Sequence, residues 1–206
     1  MPDAREATLI AIRSAMKRSS GQGVPEPPVL DLSIPEVSLA DRKLAFRKAL
    51  EKLGGTVSEA AGIDAARSRA SDIIGSRTTV ASSASLVTEC GFTAPADGLR
   101  DACASADCGI TSADYALADT GSLVLFSSPT EPRLVSLLPP CHIAIVAESV
   151  LLTSLEEFFV REPLPADRSS AMVILTGPSR SADIEMILVR GVHGPGEVHV
   201  IFVAGR

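Results

Sequence analysis

The chain has 206 residues, of which 46% are apolar and 3% aromatic, and its 19 Lys and Arg against 25 Asp and Glu give a formal net charge of −6. This composition supports one buried core and excludes the basic patches and stacking aromatic side chains of a nucleic-acid-binding protein. The longest apolar run, from His142 to Leu152, contains Glu148 and is too short to cross a bilayer, so we expect no association with membranes.

The chain begins with a segment typical of an amphipathic helix, from Ala4 to Ser19, in which Leu9, Ile12 and Met16 lie on one stripe. Acidic residues near its start distinguish it from a secretory leader, so we expect a cytoplasmic protein. Residues 1–20 are therefore predicted to form a helical arm that packs on its own domain, on a twin subunit or on another protein.

A linker of residues 21–37, with four prolines, separates the arm from an α/β domain predicted for residues 38–206. Ser38 and Asp41 approximate a capping box, which predicts a helix that ends at Gly54. Beyond it, the apolar pattern predicts helices at 61–74, Leu155 to Val160 and Ser179 to Val189, and strands at 56–57, 78–81, Gly121 to Ser127, His142 to Ala147, Ala171 to Leu175 and Glu197 to Val203.

The predicted strands are nearly continuous apolar runs, and helices fall between several of them. Such runs are typical of a mostly parallel sheet that helices cover on both faces, so we predict the α/β class. Right-handed crossovers then place the loops that follow each strand at the carboxyl edge of the sheet, where open α/β sheets bind their ligands. We expect the functional site at this edge.

The four cysteines, Cys90, Cys103, Cys108 and Cys141, occur without a C-x-x-C motif. They are too few for a disulfide scaffold in a chain of this length, and their spacing matches no recognised set of zinc or iron–sulfur ligands. We therefore expect reduced thiols, with no metal and no cofactor in this chain.

Three loop motifs carry the candidate site residues. The first, Thr120-Gly121-Ser122, offers two hydroxyl groups and a glycine that permits positive φ or close backbone approach, a combination that suits an anion. The alternative is a strand-entry turn in which Asp119 and Thr120 satisfy local backbone donors. Composition alone does not decide between these two interpretations.

The second motif runs from Glu131 to His142. Arg133 follows a proline and could clamp a carboxylate or phosphate, while His142 could act as an acid or base. Alternatively, Arg133 binds a loop carbonyl and His142 opens its strand. A residue at the start of a parallel strand lies at the amino edge, away from the expected site, so His142 ranks low.

The third motif runs from Leu175 to Glu185. A helix that begins at Ser179 would present unpaired backbone N–H groups to an anion, with Arg180 beside them. Asp183 and Glu185 would stabilise the helix start but repel that anion. They therefore either orient a neighbouring basic side chain or are solvated.

His193 lies in a loop bounded by glycines, where packing gives little reason for an imidazole, so it is the first acid–base candidate. Asp183 and Glu185 are the other catalytic candidates, although the sequence does not identify a catalytic residue. His199 alternates with apolar residues in the last strand and is expected to be structural. The chain contains no Ser/His/Asp order, Walker A loop, dinucleotide-binding fingerprint or H-E-x-x-H motif.

Taken together, the stretches GITSADYALADTGSLVLF, PRLVSLLPPCHIAIV and TGPSRSADIEMILVRGVHGPGEVHVIFV resemble the LUD domain, and the short chain resembles the lactate-utilisation protein C family. The resemblance implies a fold like that of glucosamine-6-phosphate deaminase, ribose-5-phosphate isomerase and the CoA transferases. It also implies a role beside iron–sulfur partner proteins that together oxidise L-lactate to pyruvate.

The motifs of the family map onto this chain residue by residue. Its A-E-T-G-T, P-R, P-P-x-H-I, S-R-T-A-D-I-E and G-V-H-G-P elements fall on Ala118 to Ser122, Pro132-Arg133, Pro139 to Ile143, Ser179 to Glu185 and Gly191 to Pro195. Asp119 stands where the family has Glu, and Ser122 and Ser181 stand where it has Thr. These replacements keep the charge or the hydroxyl group.

The resemblance implies two functions of different classes. The first is a non-redox accessory subunit of an iron–sulfur L-lactate utilisation complex, with a small carboxylate or phosphate bound near Thr120, Arg133, Ser179 and His193. The alternative is an independent enzyme or binder for a small anion such as a phosphosugar or a CoA ester, which rests on fold analogy alone. A homo-oligomer is a further partner compatible with the apolar stripe of the arm.

Overall fold

The computed structural model describes residues 3–16, 34–182 and 188–206, and residues 34–206 form one compact unit. In chain order the helices are α1 (Ala4–Ala15), α2 (Leu39–Lys52), α3 (Ile63–Ile74), α4 (Ser85–Glu89), α5 (Leu99–Ser105), α6 (Arg133–Leu137), α7 (Leu155–Arg161) and α8 (Pro165–Arg168), with a 3-10 turn at Glu148–Val150. The strands are β1 (Thr56–Ala60), β2 (Thr79–Ala81), β3 (Cys108–Thr111), β4 (Tyr115–Leu117), β5 (Ser122–Phe126), β6 (Cys141–Ala147), β7 (Leu151–Leu152), β8 (Met172–Leu175), β9 (Arg180–Ala182), β10 (Leu188–Arg190) and β11 (Glu197–Val203).

Five parallel strands form the central sheet, in the order β1-β11-β6-β3-β2. The two longest strands, β6 and β11, lie in the middle and pair from Glu197 opposite Cys141 to Val203 opposite Ala147. β3 pairs with the other edge of β6, and Cys108 is also opposite Cys141. The predicted α/β class with a mostly parallel sheet is confirmed.

Both faces of the parallel sheet are covered. Because successive residues of a strand point to opposite faces, Ile143 and Ile145 of β6 pack with side chains of α3 and α4, whereas Ala144 of the same strand packs with α2 and β5. On this second face, the rings of Phe46 and Phe202 meet edge to face with their centroids 5.0 Å apart. Burial on both faces explains why the strands read as continuous apolar runs.

A second sheet of four short strands, in the order β7-β4-β5-β8, contributes to the core on the α2 side. β5 pairs antiparallel with β4 and β8, and β7 pairs parallel with β4. The strands predicted at 121–127 and 171–175 are therefore present, but they belong to this mixed sheet instead of the parallel one. The connection from β4 to β5 is a tight turn, too short for the crossover that a parallel pair requires.

The predicted helix from Ser179 to Val189 is wrong over its described part. From Arg180 on, its described residues pair as the antiparallel strands β9 and β10, and residues 183–187 lie outside the described part of the chain. The N–H of Ser179 donates to the carbonyl of Pro195 at 2.8 Å, and its carbonyl accepts from Gly191 at 3.0 Å. The Ser179 N–H, which a helix start would leave unpaired, is thus bonded, and a strand follows it, so the helix-terminus anion site predicted at Ser179 is absent.

The helix starts agree with their predicted caps to different degrees. Before α2, the Ser38 hydroxyl accepts from the Asp41 N–H at 3.1 Å, as a capping box requires. Before α7, the Glu157 carboxylate accepts from the N–H of Thr153 at 2.7 Å, one residue ahead of the cap position. Both helices nevertheless begin where the sequence predicts.

α1, described by itself, confirms the N-terminal helix from Ala4 to Ala15, and none of its residues is buried. The end of the predicted helix and most of the predicted linker at 21–37 lie outside the described residues. Among the helices that the structure describes, none is long and apolar enough to cross a membrane.

Gly109 lies in β3 directly against α6. A Cβ atom at this position would fall 1.9 Å from the backbone oxygen of Val135. We expect Gly109→Ala to lower the free energy of unfolding by at least about 2 kcal/mol, because α6 or β3 must shift to make room. Urea denaturation followed by circular dichroism measures the change. Gly62→Ala is the matched control, since nothing lies within 4 Å of its Cβ position, and equal losses in the two variants would contradict this packing.

Candidate functional site

A polar cleft of about 320 Å³ lies at the carboxyl edge of β2 and β3. Its walls come from the segments that follow β2, β3 and β5, and from the end of α8. Six hydroxyl side chains line it together with three ionisable ones: Ser85, Ser112, Ser127, Ser128, Thr130 and Ser169, with Asp114, Glu131 and Arg168. The lining suits a small polar ligand, and its position is the edge where α/β sheets bind ligands.

Glu131 is a carboxyl group buried in the wall of this cleft, with 8% of its surface exposed. The turn after β5 holds it, because its N–H donates to the Ser128 hydroxyl at 2.9 Å. Its Oε2 atom accepts from the Ser82 hydroxyl and from the Ser112 N–H, both at 3.1 Å. Since Ser82 follows β2 and Ser112 follows β3, the carboxyl group joins the ends of two neighbouring strands.

Burial controls the charge of Glu131. It raises the pKa of this carboxyl group to about 7, while the hydrogen bonds from Ser112 and Ser82 oppose the rise and the charge of Asp114 adds to it. The other oxygen, Oε1, is buried and has no hydrogen-bond partner within the described structure. The group therefore titrates near neutral pH, as acid–base groups in active sites do.

Arg168 supplies positive charge beside the cleft. Its guanidinium pairs with Glu162 at 2.6 Å and with Asp114, and it lies over the Phe126 ring, 4.2 Å from the ring centre. Asp114 also accepts from the Phe126 N–H at 2.8 Å, which fixes the ion pair in place. Because a guanidinium carries more N–H donors than these two carboxylates use, Arg168 retains donors for a ligand.

The first predicted motif forms the turn between β4 and β5. Gly121 has a φ of +67°, its N–H is bonded within the turn, and a Cβ there would fall 2.6 Å from the backbone nitrogen of Leu50 in α2. The Ser122 hydroxyl bonds to those of Thr120 at 2.8 Å and Thr176 at 2.9 Å. These groups are used in the turn and its packing on α2, which favours the strand-entry turn over an anion site.

The third predicted motif lies against the loop that carries His193. The His193 N–H lies 3.4 Å from the Ser179 hydroxyl oxygen, and the His193 side chain is exposed. The guanidinium of Arg180 donates to the carbonyl of Leu53 at the end of α2. The other two catalytic candidates, Asp183 and Glu185, lie outside the described residues.

The fold places Arg133 and His193 at opposite edges of the parallel sheet. Arg133 begins α6 two residues after Glu131, on the carboxyl side. The His193 loop leads into β11, and Gly196 donates to the carbonyl of Pro140 immediately before β6, on the amino side. The topology therefore does not bring the predicted ligand-binding residues into one pocket.

The other two histidines lie within strands. Nε2 of His142 is 2.8 Å from the Thr111 hydroxyl, and complete burial lowers the pKa of His142 to about 3. This imidazole is neutral at physiological pH and belongs to the core, in keeping with its low rank as a candidate. Nδ1 of His199 is 2.7 Å from the Thr56 hydroxyl, which connects β11 to β1.

The sequence does not identify Glu131 as a site residue, although Glu131 begins the second motif. Its partners Ser82 and Ser112 are distant in the chain, so no spacing motif exposes it. The signal available in the sequence is an acidic residue in the turn SSPTEP, directly after a strand predicted to be buried. Such a turn lies where a sheet presents its ligand site.

Residues 92–203 match the model of the LUD domain, which is more than half of the chain. The chain belongs to the LUD domain family. The matched residues include most of the cleft, with Glu131 and Arg168, and membership confirms the resemblance found in the sequence.

Proteins named Lactate utilization protein C are among the relatives of this LUD domain chain. That of Halalkalibacterium halodurans is 45% identical over 105 residues, covering 49% of this chain and 46% of the relative. That of Bacillus subtilis is 43% identical over 105 residues, covering 49% of this chain and 44% of the relative. The chain therefore matches less than half the length of these relatives.

A solved structure shares the fold. A DUF162 family protein from Deinococcus radiodurans matches with a TM-score of 0.64 and 18% identity, covering 82% of this LUD domain chain and 100% of that one. At this level of identity the likeness shows the fold alone.

The raised pKa of Glu131 makes stability depend on pH. Between the ordinary pKa of 4.5 and about 7 the folded state keeps this proton while the unfolded state has lost it. The stability that the proton contributes is therefore present below pH 4.5 and is lost as pH rises from there through about 7. Glu131→Gln removes the charge but keeps an oxygen for Ser82 and Ser112. We expect this variant to exceed the wild type in unfolding free energy above pH 7 by up to about 3 kcal/mol, with the gain disappearing towards pH 4.5. Urea denaturation across this pH range measures the difference.

Glu162→Gln is a control of opposite sign. The hydroxyl of Tyr115, together with Arg168, lowers the pKa of Glu162, so loss of its charge should remove stability at neutral pH. A gain in Glu131→Gln that is the same at every pH would contradict the raised pKa.

Proposed function

We propose that this chain is a non-redox accessory component of L-lactate utilisation in the cytoplasm, acting beside iron–sulfur proteins that oxidise lactate to pyruvate. The observation that carries the proposal is its similarity to proteins named Lactate utilization protein C. The cleft around Glu131, inside the matched LUD domain, supports it with a site for a small ligand.

The positions of the cysteines support a non-redox role. All four are free and buried. Cys103 lies in a different apolar cluster from Cys90, Cys108 and Cys141. Because an iron–sulfur cluster is held by cysteine thiolates gathered around it, the electron-transfer centres belong in this proposal to partner proteins.

The cleft around Glu131 is the site that we assign to the small carboxylate. Its volume of about 320 Å³ leaves room for a molecule the size of lactate or pyruvate. Arg168 offers N–H donors to a carboxylate, and the hydroxyl groups of the lining suit a hydroxyl or keto oxygen. A charged Glu131 would repel such an anion, so the cleft favours a small hydroxy or oxo acid when Glu131 is protonated.

Pyruvate binding should therefore depend on the proton of Glu131. We expect the affinity of the purified chain to fall above pH 7, approaching roughly tenfold per pH unit, because one proton accompanies each bound anion. Glu131→Gln stays neutral and should abolish this dependence. Isothermal titration calorimetry in buffers of different ionisation enthalpy measures both the affinity and the proton uptake.

Glu51→Gln is the matched control, since it makes the same change at an exposed carboxylate on α2 and should retain the wild-type dependence. If the chain binds neither lactate nor pyruvate, the proposal that its ligand is a small hydroxy or oxo acid is contradicted. Binding that has the same pH dependence in wild type and Glu131→Gln would contradict the assignment to this cleft.

The accessory role has a separate test. The tagged full chain, expressed with the iron–sulfur proteins of lactate utilisation from the same organism, should co-purify with them. Lactate oxidation with an artificial electron acceptor should require both the iron–sulfur proteins and this chain. Iron–sulfur proteins that neither bind this chain nor gain activity from it would contradict the role.

A second function, an independent enzyme acting on a small anion such as a phosphosugar or a CoA ester, is favoured by one observation. Strongly raised carboxyl pKa values such as that of Glu131 gather at catalytic sites. The two functions differ in whether the purified chain acts alone. Turnover of such a substrate by the wild type, lost in Glu131→Gln, would replace the accessory role.

A further inference from the structure

A row of metal-ligating side chains lies at the amino edge of the parallel sheet, opposite the cleft. Cys108, Cys141 and Glu197 stand directly across from one another on β3, β6 and β11. Paired residues of parallel strands point to the same face, and His199, two residues after Glu197, shares that face. The sheet register thus gathers two thiols, a carboxylate and an imidazole from three neighbouring strands.

The ligand atoms of this row are close together. The Cys141 sulfur, a Glu197 carboxylate oxygen and a His199 ring nitrogen all lie within 4.8 Å of one another. Cys108 stands opposite Cys141 in the sheet register, so its thiol occupies the neighbouring position on the same face. Together with the thiol of Cys108, these side chains supply the four donor atoms that a tetrahedral ion takes.

The orientation of His199 is an independent observation that points to a ligand. Its Nδ1 is 2.7 Å from the Thr56 hydroxyl, which fixes the ring. Its Nε2 is buried and has no hydrogen-bond partner within the described structure, and it lies 3.6 Å from the nearest Glu197 oxygen, too far for a hydrogen bond. A histidine held at one nitrogen and open at the other is the arrangement that metal sites use.

We propose that Cys108, Cys141, Glu197 and His199 bind one zinc ion. Sulfur, nitrogen and oxygen ligands in a tetrahedral set are those that Zn²⁺ prefers, and four protein ligands leave no open position. The site is therefore structural: the ion joins β3, β6 and β11 where these strands begin.

The charges around the row balance a divalent cation. Two thiolates and a carboxylate carry three negative charges, and the ion together with the Arg77 guanidinium, 3.0 Å from Glu197, supplies three positive ones. The ion displaces the proton of each thiol that it binds, as zinc does at thiol ligands. Arg77 also donates to the last carbonyls of α3, which holds it beside the row.

Sequence spacing predicts no metal in this chain, because the four ligands come from three separated strands. Zinc motifs recognised in sequences place their ligands in close pairs. Here the gathering depends on which strands are neighbours, which only the fold supplies.

Cobalt titration of the chelator-treated full chain tests the proposal. We expect about one Co²⁺ per chain, with intense visible bands of a tetrahedral site, a thiolate-to-cobalt charge-transfer band, and displacement by Zn²⁺. Cys141→Ser and His199→Gln should weaken Co²⁺ binding by more than about 100-fold, and Thr56→Val, which releases the ring of His199, by about 10–100-fold. Binding should also raise the melting temperature of the wild type.

Cys103→Ser is the matched control, since it removes a buried thiol from a different apolar cluster and should keep the cobalt spectrum. If Cys141→Ser fails to fold, His199→Gln still tests the site. The side chain of His199 is 19% exposed, so its replacement disturbs the core less. A wild type without a thiolate–cobalt band, or a band that persists in His199→Gln, would overturn the site. An unchanged intensity of the thiolate–cobalt band in Cys108→Ser would contradict the assignment of Cys108 as a ligand.

Discussion

The in-register pairing of β6 with β3 and β11 is the interaction on which the rest of the structure depends. It aligns the three strands with one another, because both edges of β6 are paired, one with β11 and the other with β3. At the carboxyl ends it sets the position of Ser112 against Glu131, and at the amino ends that of Cys141 against Glu197. A slip of one residue would turn every side chain to the other face and dismantle both arrangements.

The buried carboxyl group of Glu131 lowers the stability of the fold when it is charged. Burial opposes its ionisation, and the donors from Ser82 and Ser112 offset only part of that opposition. An amide at this position would accept the same two hydrogen bonds without the cost of a charge. The property that the carboxyl group adds is its proton, which is exchanged near neutral pH, and groups that reduce stability in this way gather where a protein binds or reacts.

The sequence predicts the features that depend on neighbouring residues. Ser38 caps α2, and the apolar runs of β6 and β11 are buried strands, because caps and burial patterns act over a few residues. It does not predict pairings between distant segments: β5 leaves the parallel sheet, and Ser179 bonds to the loop before β11 instead of starting a helix. The cleft escaped prediction for the same reason, since Ser82 and Glu131 are 49 residues apart.

The central position of the two longest strands leaves short ones at the margins of the parallel sheet. β2 has three residues, and β1 has five. On β1, Glu59 forms ion pairs with Lys43 and Arg47 of α2. A long, uncharged margin would offer its free backbone groups to a second chain, whereas a brief or charged one is a poor template for fibril growth. The strand order therefore also protects the protein from edge-to-edge aggregation.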